Sequence, residues 1–333
     1  MATGQTWYNK VTNNLRHWHA LVIGRAGLDL YPQPDGGKTR DATGFSADMG
    51  GSGGNIAAAV GRAGGNVALL SALSNDPAAH FVRQRLQECQ VSTKFLQTTK
   101  GGQRTSLAIA EVRPEDCEVV IYRNDAADLA LTESTGAKNA IKQSANLIIT
   151  GTSLISEPSR STTLAYMAYA KANDCLVWLD LDYRAWNWPS LEVTREIYSK
   201  AADFAHVIIG NEEEFAVLTE SLPAYTIEAM GKQQTILLKR GHQGATLFHQ
   251  QQSLNTGIYP VKPLKPYGAG DAFLGNLVYH YSQHQDWQSA IAKGSAAAAL
   301  VVAQRGCASV MPTPEQTNQL QDSSDMVPAA QWS

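Results

Sequence analysis

The sequence contains few of the residues that mark several common classes of protein. Only four of its 333 residues are cysteines, which stand far apart, form no Cys-x-x-Cys pair and show no zinc-ligand spacing with the eight histidines. Two scattered disulfides are conceivable, but free thiols in a reducing compartment are the expected state. No apolar run is long enough to span a bilayer, and residues 1–20 are polar, without the core of a signal peptide. These absences favour a soluble, cytoplasmic protein that has no membrane as a partner.

An excess of charge of either sign is also missing. Lysine and arginine together number 27, and aspartate and glutamate 30, which gives a formal net charge of −3. Such a balance offers no electrostatic footprint for binding a nucleic acid. An anionic substrate would therefore have to be bound by a few well-placed cations. The length suits one large α/β domain or two modest ones with a sizeable core.

Short apolar strands alternate with helical segments along most of the chain. Strands are predicted at 21–24, 67–73, 147–150, 176–180, 207–209, 235–239 and 245–248. Helices are predicted at about 55–64, 76–89, 134–143, 160–173 and from 271 onwards. Alternation of this kind is typical of parallel strands joined by right-handed crossovers. We therefore predict an α/β fold with a central, mostly parallel β-sheet flanked by helices.

One segment departs from this alternation. Residues 105–112 and 119–122 are rich in strand-forming residues and are joined by an Arg-Pro-Glu-Asp turn, with no helix between them. This pattern predicts a β-hairpin. Together with residues 31–48 it is expected to form a small β-lid, spanning about 31–48 and 103–127, at the carboxyl edge of the sheet. The exposed edge of such a lid could pair with the lid of a second copy and form a homodimer.

A Gly-Ala-Gly-Asp segment, Gly268 to Asp271, stands directly before a long helical pattern. The first amides of a helix have no intrahelical partner and favour an anion, and the amides of Gly268, Ala269 and Gly270 are placed to do so. The carboxylate of Asp271 would face the same anion and could accept a proton from an attacking hydroxyl. On these four residues alone, a turn in which the aspartate only caps the helix is the more common outcome.

Two features near the N-terminus are candidates for binding a polyol. The glycine-rich run from Gly50 to Asn55 includes Gly51 and would let a ligand lie against the backbone, while the Asn55 amide can both donate and accept hydrogen bonds. A flexible loop with a helix cap is an equally good interpretation. Asp29 follows the first predicted strand and could accept hydrogen bonds from sugar hydroxyls, although an aspartate there is more often a turn residue.

Two further segments lie where phosphates or a nucleotide could bind. Asn211 and Glu214 follow a predicted strand, and their spacing could hold Mg²⁺ through water. An asparagine cap with acidic residues in the first helical turn explains the same pattern at least as well. Lys239 ends another strand, and the glycines Gly241 and Gly244 of the turn that follows could admit a nucleotide.

Three arginines need an explanation in a chain with so little net charge. Arg104 and Arg123 flank the predicted lid hairpin, and Arg184 follows the strand at 176–180. The planar guanidinium group suits a carboxylate or a phosphate. Each of them alone is most simply explained as a surface charge.

In their order along the chain, these segments resemble the ribokinase-like (PfkB-type) family of carbohydrate kinases. The resemblance covers residues 20–312, which would form one kinase domain with the lid inserted in it. Residues 1–19 would be an N-terminal extension, and 313–333 a polar tail without fixed structure.

The resemblance implies a role for each matching residue. Asp271 would be the catalytic base, and the three amides before it an anion hole for the transferred phosphoryl group. Asn211 and Glu214 would organise Mg²⁺ and the phosphates of ATP, with Lys239, Gly241 and Gly244 on the nucleotide side. The remaining candidates would bind the sugar: Asp29, Gly51, Asn55, Arg104, Arg123 and Arg184.

Within this family, the segments around Arg104, Arg123 and Arg184 are similar to those of kinases that act on 5-dehydro-2-deoxygluconate and 2-keto-3-deoxygluconate. Both substrates carry a carboxylate, for which Arg123 is the first candidate. The resemblance thus implies ATP-dependent phosphorylation of the primary hydroxyl of a small sugar acid, in the first place 5-dehydro-2-deoxygluconate of myo-inositol catabolism. Another sugar or ketose of the family is the alternative, and a sugar-binding sensor without catalysis is an alternative of a different class.

One departure from the family pattern bears on a cofactor. Members that respond to potassium often carry Asp-Thr where this chain has Lys265 and Pro266. A lysine ammonium would repel a monovalent cation and could itself supply the missing charge, or it could simply point to solvent. Either arrangement predicts an enzyme that works without potassium.

Overall fold

The computed structural model describes residues 16–219 and 224–328. The strands within these residues are β1 (Trp18–Ile23), β2 (Gly27–Gln33), β3 (Gly44–Gly50), β4 (Val67–Leu70), β5 (Ala72–Leu73), β6 (Val91–Ser92), β7 (Gln97–Thr98), β8 (Leu107–Ala110), β9 (Val119–Tyr122), β10 (Ser144–Thr150), β11 (Leu176–Asp180), β12 (Val207–Asn211), β13 (Thr235–Lys239), β14 (Ala245–His249) and β15 (Gln252–Thr256). The α-helices are α1 (Ser52–Arg62), α2 (Pro77–Glu88), α3 (Thr135–Lys142), α4 (Ser159–Ala172), α5 (Leu191–Ala202), α6 (Glu212–Thr219), α7 (Ala224–Met230), α8 (Ala269–His284), α9 (Trp287–Val302) and α10 (Pro314–Ser323).

The central sheet has nine strands in the order β15-β14-β13-β12-β11-β10-β1-β4-β6. All neighbours are parallel except β13 with β14 and β14 with β15. Along β1, Ala20 and Val22 join the core beneath α1, α8 and α9, while Leu21 and Ile23 join the core on the other face. Burial on both faces explains why the strands are continuous apolar runs. The predicted α/β fold, a mostly parallel sheet flanked by helices, is confirmed.

A second sheet of four strands, in the order β3-β2-β8-β9, forms the lid. The predicted hairpin is present as the antiparallel pair of β8 and β9. Strand β2 begins at Gly27, so Asp29 lies within the lid sheet and not in a turn after β1. Asp29 pairs there with Asp48 of β3, which places two carboxylates side by side on the face of the lid that is buried.

Two sequence predictions about the ends of elements are wrong. Residues 67–73 form two strands, because the Ser71 carbonyl between them accepts a hydrogen bond from Gln97 and turns the chain towards β7. Residues 314–323 form helix α10 where a frayed tail is expected. A capping box between Thr313 and Gln316 starts this helix, and Thr317 is fully buried beneath it.

Two expectations from composition can be compared with the structure. All four cysteines carry free thiols, as expected, and three of them are buried. Across the described helices, none combines the length and the apolar character needed to cross a membrane.

Candidate active site

The candidate residues gather where the parallel strands end. Thr150, Asp180 and Asn211 are the last residues of β10, β11 and β12, and Lys239 is the last of β13. In an open α/β sheet the carboxyl ends of the strands form the edge at which ligands bind. The start of α8 and the buried face of the lid complete this edge of the molecule.

Asp271 lies in the first turn of α8, but it does not cap the helix. The N-cap residue is Gly268, whose φ of 84° is left-handed and which makes no side-chain cap. A residue with a Cβ is strained in this conformation, which accounts for the glycine. The Asp271 carboxylate is instead held from the glycine-rich loop at Gly50 to Asn55, because Asn55 Nδ2 donates to its Oδ2 at 2.8 Å. The interpretation of Asp271 as the residue that caps the helix is therefore wrong.

The surroundings of Asp271 raise the pKa of its carboxyl group to about 7. Desolvation by burial is the largest cause, and the negative charges of Asp182 and Asp180 act in the same direction. The hydrogen bond from Asn55 and the positive charge of Lys239 oppose the shift. A carboxylate with a pKa near neutrality is well matched to accepting a proton from a hydroxyl.

The turn at the start of α8 is flanked by two lysines. Lys239 lies in front of it, since a Cβ on Gly270 would be 3.4 Å from the Lys239 Nζ. Lys239 Nζ donates to Asp180 Oδ1 at 3.0 Å. Burial alone would lower the pKa of this ammonium, but Asp180 and Glu214 raise it well above its ordinary value. Lys239 therefore stays protonated and lies beside the amides of the proposed anion hole.

Lys265 lies behind the same loop and is fully buried. Its Nζ donates to the Tyr267 carbonyl at 2.8 Å and would be 3.5 Å from a Cβ on Gly268. Burial lowers the pKa of the ammonium, and electrostatic interactions with Cys307, Asp271 and Asp48 oppose this. Of the two arrangements that the sequence leaves open, the structure contains the inward one, because the side chain does not point to solvent.

A cluster of carboxylates and cations connects the sheet edge to α6. Arg184 Nη2 pairs with Asp182 Oδ1 at 2.9 Å, and its Nη1 lies 3.7 Å from Glu214 Oε1. The other oxygen of Asp182 accepts a hydrogen bond from Ser52 Oγ at 2.6 Å. Arg184 also lies close enough to Asp271 for that carboxylate to raise the pKa of its guanidinium. This places Arg184 beside Asp182, Glu214 and Asp271 rather than on the lid.

Asn211 and Glu214 cap α6 reciprocally. The Glu214 amide donates to Asn211 Oδ1, and the Asn211 amide donates to Glu214 Oε2, both at 2.8 Å. Within the two described ranges there is no group of three or more His, Cys, Asp or Glu that could hold a metal ion by itself. The capping interpretation of this pair is correct as a description of its contacts. A metal bound here would need ligands from water and from a substrate phosphate.

The turn between β13 and β14 leaves room beside it. Residues Gly241–Gln243 form a single 3-10 turn, and the φ angles of Gly241 and Gly244 are 55° and 89°. A Cβ on Gly241 would meet nothing within 4 Å, whereas one on Gly244 would overlap with the Thr256 carbonyl. Gly244 is thus required by the fold, and Gly241 leaves an open surface next to Lys239.

The two predicted polyol-binding features, Asp29 and the glycine-rich loop, lie against each other. A Cβ on Gly50 would overlap with the Asp29 carboxylate, so this glycine lets the loop contact Asp29 directly. Gly51, with φ of 92°, is the residue before α1. Asp29 Oδ1 and Asn55 Oδ1 are both enclosed and have no hydrogen-bond partner in the described part of the chain. Acceptors of this kind match the hydroxyl groups of a sugar.

Two of the three predicted arginines are placed differently from the expectation of free, substrate-facing cations. Arg123 forms a buried ion pair with Asp128, and its Nη2 also donates to the Thr152 carbonyl at 2.8 Å. Its Nη1 is enclosed without a hydrogen-bond partner among the described residues. Arg104 is exposed and donates to the nearby carbonyl of Gly102 at 2.9 Å. The structure therefore shows Arg104 as a surface charge.

The sequence patterns did not reveal three charged residues of this region. Asp182 raises the pKa of Asp271, Asp48 accepts hydrogen bonds from the Cys307 and Ser309 amides, and Arg25 lies buried beside the lid. A second aspartate two residues after a buried strand end is a usable indication for Asp182. For Arg25, the indication is a glycine two residues later, which leaves space for a large side chain.

Comparison with known proteins agrees with this geometry. A family model described as pfkB family carbohydrate kinase matches residues 19–314. The chain therefore belongs to the pfkB family of carbohydrate kinases.

Individual members of the family and solved structures are similar to this chain over most of its length. A 5-dehydro-2-deoxygluconokinase of Photobacterium profundum is 35% identical over 305 residues, which are 89% of this chain and 92% of that protein. A protein of the same name from Listeria monocytogenes is 30% identical over 314 residues, or 92% and 96% of the two chains. A double-mutant fructokinase of Vibrio cholerae, solved with fructose, ADP and potassium, has a TM-score of 0.79 at 25% identity and covers 90% of this chain and 97% of its own.

Proposed function

We propose that this carbohydrate kinase transfers the γ-phosphoryl group of ATP to the primary hydroxyl of a small sugar acid, in the first place 5-dehydro-2-deoxy-D-gluconate. The observation that carries the proposal is the hydrogen bond between Asn55 and Asp271. It joins a residue with a spare sugar-binding acceptor to a carboxylate whose pKa is about 7, directly beside the free amides of α8. Relatives named 5-dehydro-2-deoxygluconokinase support the choice of substrate.

In the proposed reaction, Asp271 accepts the proton of the attacking hydroxyl. The hydroxyl oxygen forms a bond to the γ-phosphorus while the bond from that phosphorus to the β–γ bridging oxygen breaks, which leaves ADP and the phosphorylated sugar. Charge on the transferred group is stabilised by the amides of Gly268, Ala269 and Gly270, with Lys239 in front of them. A positioned general base contributes a factor of about 10²–10⁴ to such a reaction.

The nucleotide is proposed to lie along the turn after β13. The open space at Gly241 admits a flat ring or a ribose against the backbone, and Lys239 lies between this turn and the anion hole. A solved fructokinase of Xylella fastidiosa is described with bound ATP and one of Vibrio cholerae with bound ADP, which supports ATP as the phosphoryl donor.

Mg²⁺ is proposed to reach the site together with the phosphates. Glu214 and Asn211 would hold it through water, because their inner hydrogen bonds are to backbone amides and leave lone pairs on the same oxygens. A donor set of one carboxylate, one amide and several waters fits a metal that dehydrates reluctantly. When bound, the metal would neutralise phosphate charge.

Other members of the family define the alternatives. A kinase of 2-keto-3-deoxygluconate or of a neutral ketose would use the same base and anion hole, so the chemistry does not separate them. The sensor without catalysis has no support, since the chain belongs to a family of kinases and retains Asp271 with its amides. Within the cell we place the reaction in the cytoplasm, as a step of myo-inositol catabolism.

A homodimer through the lid is part of the same proposal. One face of the lid sheet is apolar on all four strands and includes the partly or fully exposed side chains of Phe45, Leu30, Ile109, Val120 and Tyr122. An apolar sheet face of this kind is typical of an interaction site.

In light scattering, Val120→Lys should lower the molar mass from that of a dimer to that of a monomer, whereas Glu115→Lys in the adjoining turn should not. A wild-type protein of monomer mass would contradict the proposal.

The proposed substrate is tested by measuring ADP release with a panel of acceptors. Purified enzyme is assayed with 5-dehydro-2-deoxygluconate, 2-keto-3-deoxygluconate, fructose, ribose and a nucleoside. The proposal expects the highest kcat/KM with 5-dehydro-2-deoxygluconate. A higher kcat/KM with a neutral sugar or a nucleoside would contradict a sugar acid as the substrate. If no acceptor caused release of ADP, none of the tested compounds would be the substrate.

A further inference from the structure

Arg25 is a buried arginine that the proposed reaction leaves unused. It lies between β1 and β2, where the chain leaves the central sheet for the lid, and only 8% of its surface is exposed. Its Nη1 donates to Ser106 Oγ at 3.0 Å, next to strand β8 of the lid. This is its one side-chain hydrogen bond to the residues that the structure describes. A guanidinium group carries five N–H donors, so most of its bonding capacity remains.

The remaining nitrogens of Arg25 border on accessible space. None of them is among the fully enclosed polar atoms that lack a partner in the described residues. Gly27 provides the room for the guanidinium group as a whole, because a Cβ at this position would lie 2.6 Å from Arg25 Nη1 and 2.6 Å from the Ser106 carbonyl oxygen. Any larger residue at position 27 would displace the guanidinium group.

The backbone of Arg25 is hydrogen-bonded to the glycine-rich loop. Its carbonyl accepts a hydrogen bond from the Gly54 amide at 2.9 Å, and Gly54 directly precedes Asn55, which donates to Asp271. Asp29 is close enough to Arg25 for the positive charge of the guanidinium to affect the pKa of its carboxyl group. Burial raises the pKa of the Asp29 carboxyl group to about 6, and the charge of Arg25 works against this rise. Arg25 is therefore fixed between Asp29 and the glycine-rich loop, the two parts of the chain that are proposed to bind the sugar hydroxyls.

The charge of Arg25 is less compensated than that of the other candidate arginines. Arg123 is paired with Asp128, and Arg184 with Asp182 and Glu214. Arg25, by contrast, has a neutral serine as its hydrogen-bond partner and, within the described ranges, no carboxylate oxygen within 4 Å. A buried cation without a paired anion is costly, and a ligand carboxylate in the open space would supply that anion.

We propose that Arg25 binds the carboxylate of the sugar acid and decides the preference of the site for acids over neutral sugars. The inference rests on the proposed function, since it requires an acidic acceptor. Two of its free N–H groups would hold the two carboxylate oxygens, the geometry for which a guanidinium is best suited. Asp29 and Asn55 would bind hydroxyls between this end of the substrate and the oxygen that attacks phosphorus, and Ser106 would hold the guanidinium in place from the lid.

The test is the effect of Arg25→Leu on two Michaelis constants. We expect KM for 5-dehydro-2-deoxygluconate to rise by about thirtyfold, as for a lost charge-assisted contact, while KM for ATP changes by less than about twofold. Arg25→Lys keeps the charge without the planar fork and should recover part of the loss. Arg40→Leu, which removes an exposed arginine of the lid, is the matched control and should leave both constants unchanged.

Three outcomes would overturn the inference. An unchanged KM for the acid shows that Arg25 does not bind it, and an equal rise in both constants assigns Arg25 a structural role. A rise with Arg123→Lys but not with Arg25→Leu moves the carboxylate to Arg123. If Arg25→Leu does not fold, the same split between the two constants is read from Arg25→Lys. A failure of the proposed function is seen separately, because the wild-type enzyme would then phosphorylate no acid at all.

Discussion

Asn55 Nδ2 donates to Asp271 Oδ2 at 2.8 Å and so joins two parts of the chain that lie 216 residues apart. The bond connects the glycine-rich loop before α1 to the amides at the start of α8. Because the Asn55 carbonyl oxygen remains without a partner in the described residues, a sugar bound there would be held next to the carboxylate. In the proposed reaction, one side chain thus relates the binding of the acceptor to its activation.

The pH dependence of activity should follow the ionisation of Asp271. A general base must be deprotonated, and burial raises the pKa of this carboxyl group to about 7. We therefore expect kcat/KM to rise with pH through about 7 and to level off above it. Asp182→Asn removes a charge that raises this pKa, so the rise should move to lower pH. Asn55→Ala removes a hydrogen bond that lowers it, so the rise should move to higher pH. Shifts of both variants in the same direction would contradict this origin of the pKa.

The same raised pKa should destabilise the folded protein at alkaline pH. An aspartate has an ordinary pKa of about 4, so between about pH 4 and pH 7 the folded state binds a proton at Asp271 that the unfolded state releases. The stability that this proton provides is lost as the pH rises through 7. Asp271→Asn is neutral at every pH and should raise the melting temperature more at pH 8 than at pH 4. An equal change at both values would contradict the prediction.

Lys265 should make the enzyme independent of potassium. Its buried ammonium lies behind Gly268, where it would repel a second cation by roughly 4 kcal/mol at 4 Å for an effective dielectric constant of 20. The measurement is kcat with potassium replaced by tetramethylammonium at constant ionic strength. We expect no change, and a fall by about tenfold in kcat for Lys265→Met, in which the loop loses its fixed charge. A several-fold fall of the wild-type kcat without potassium would contradict the account.

The ion pair between Arg123 and Asp128 should contribute to stability. Only 5% and 3% of the two side chains are exposed, so Arg123→Leu leaves a buried carboxylate without its cation. We expect the free energy of unfolding to fall by about 3 kcal/mol. In the double variant Arg123→Leu/Asp128→Leu no charge is left buried, and most of the loss should be recovered. Chemical denaturation measures both values, and equal losses in the single and double variants would contradict the coupling.

The sequence predicts much of the fold and the centre of the site. Strands buried on both faces, such as β1 and β10, are continuous apolar runs that can be recognised without partners. The Gly-Ala-Gly-Asp segment can likewise be recognised from the sequence, because the left-handed Gly268 and the first amides of the helix are properties of consecutive residues.

Other features depend on side-chain directions and contacts that are fixed only in the folded chain, and these could not be predicted. The inward position of Lys265 follows from the Tyr267 carbonyl and from its packing against the anion-hole loop, neither of which is visible in the order of residues. Arg123 has the right type and place for a substrate ligand, yet its partner Asp128 takes up its charge. The importance of Arg25 depends on the space at Gly27 and on Ser106, which only the fold brings next to it.

The most direct test of Asp271 as the catalytic base is the turnover of Asp271→Asn with the acceptor that the wild-type enzyme prefers. The asparagine keeps the shape of the side chain and can still accept the hydrogen bond from Asn55, but it cannot take up a proton. We expect kcat to fall by about a hundredfold or more, as for a lost general base, while KM for the acceptor and for ATP stays within about threefold of the wild-type values. A variant that retained more than about a tenth of the wild-type kcat would contradict the assignment of Asp271 as the base.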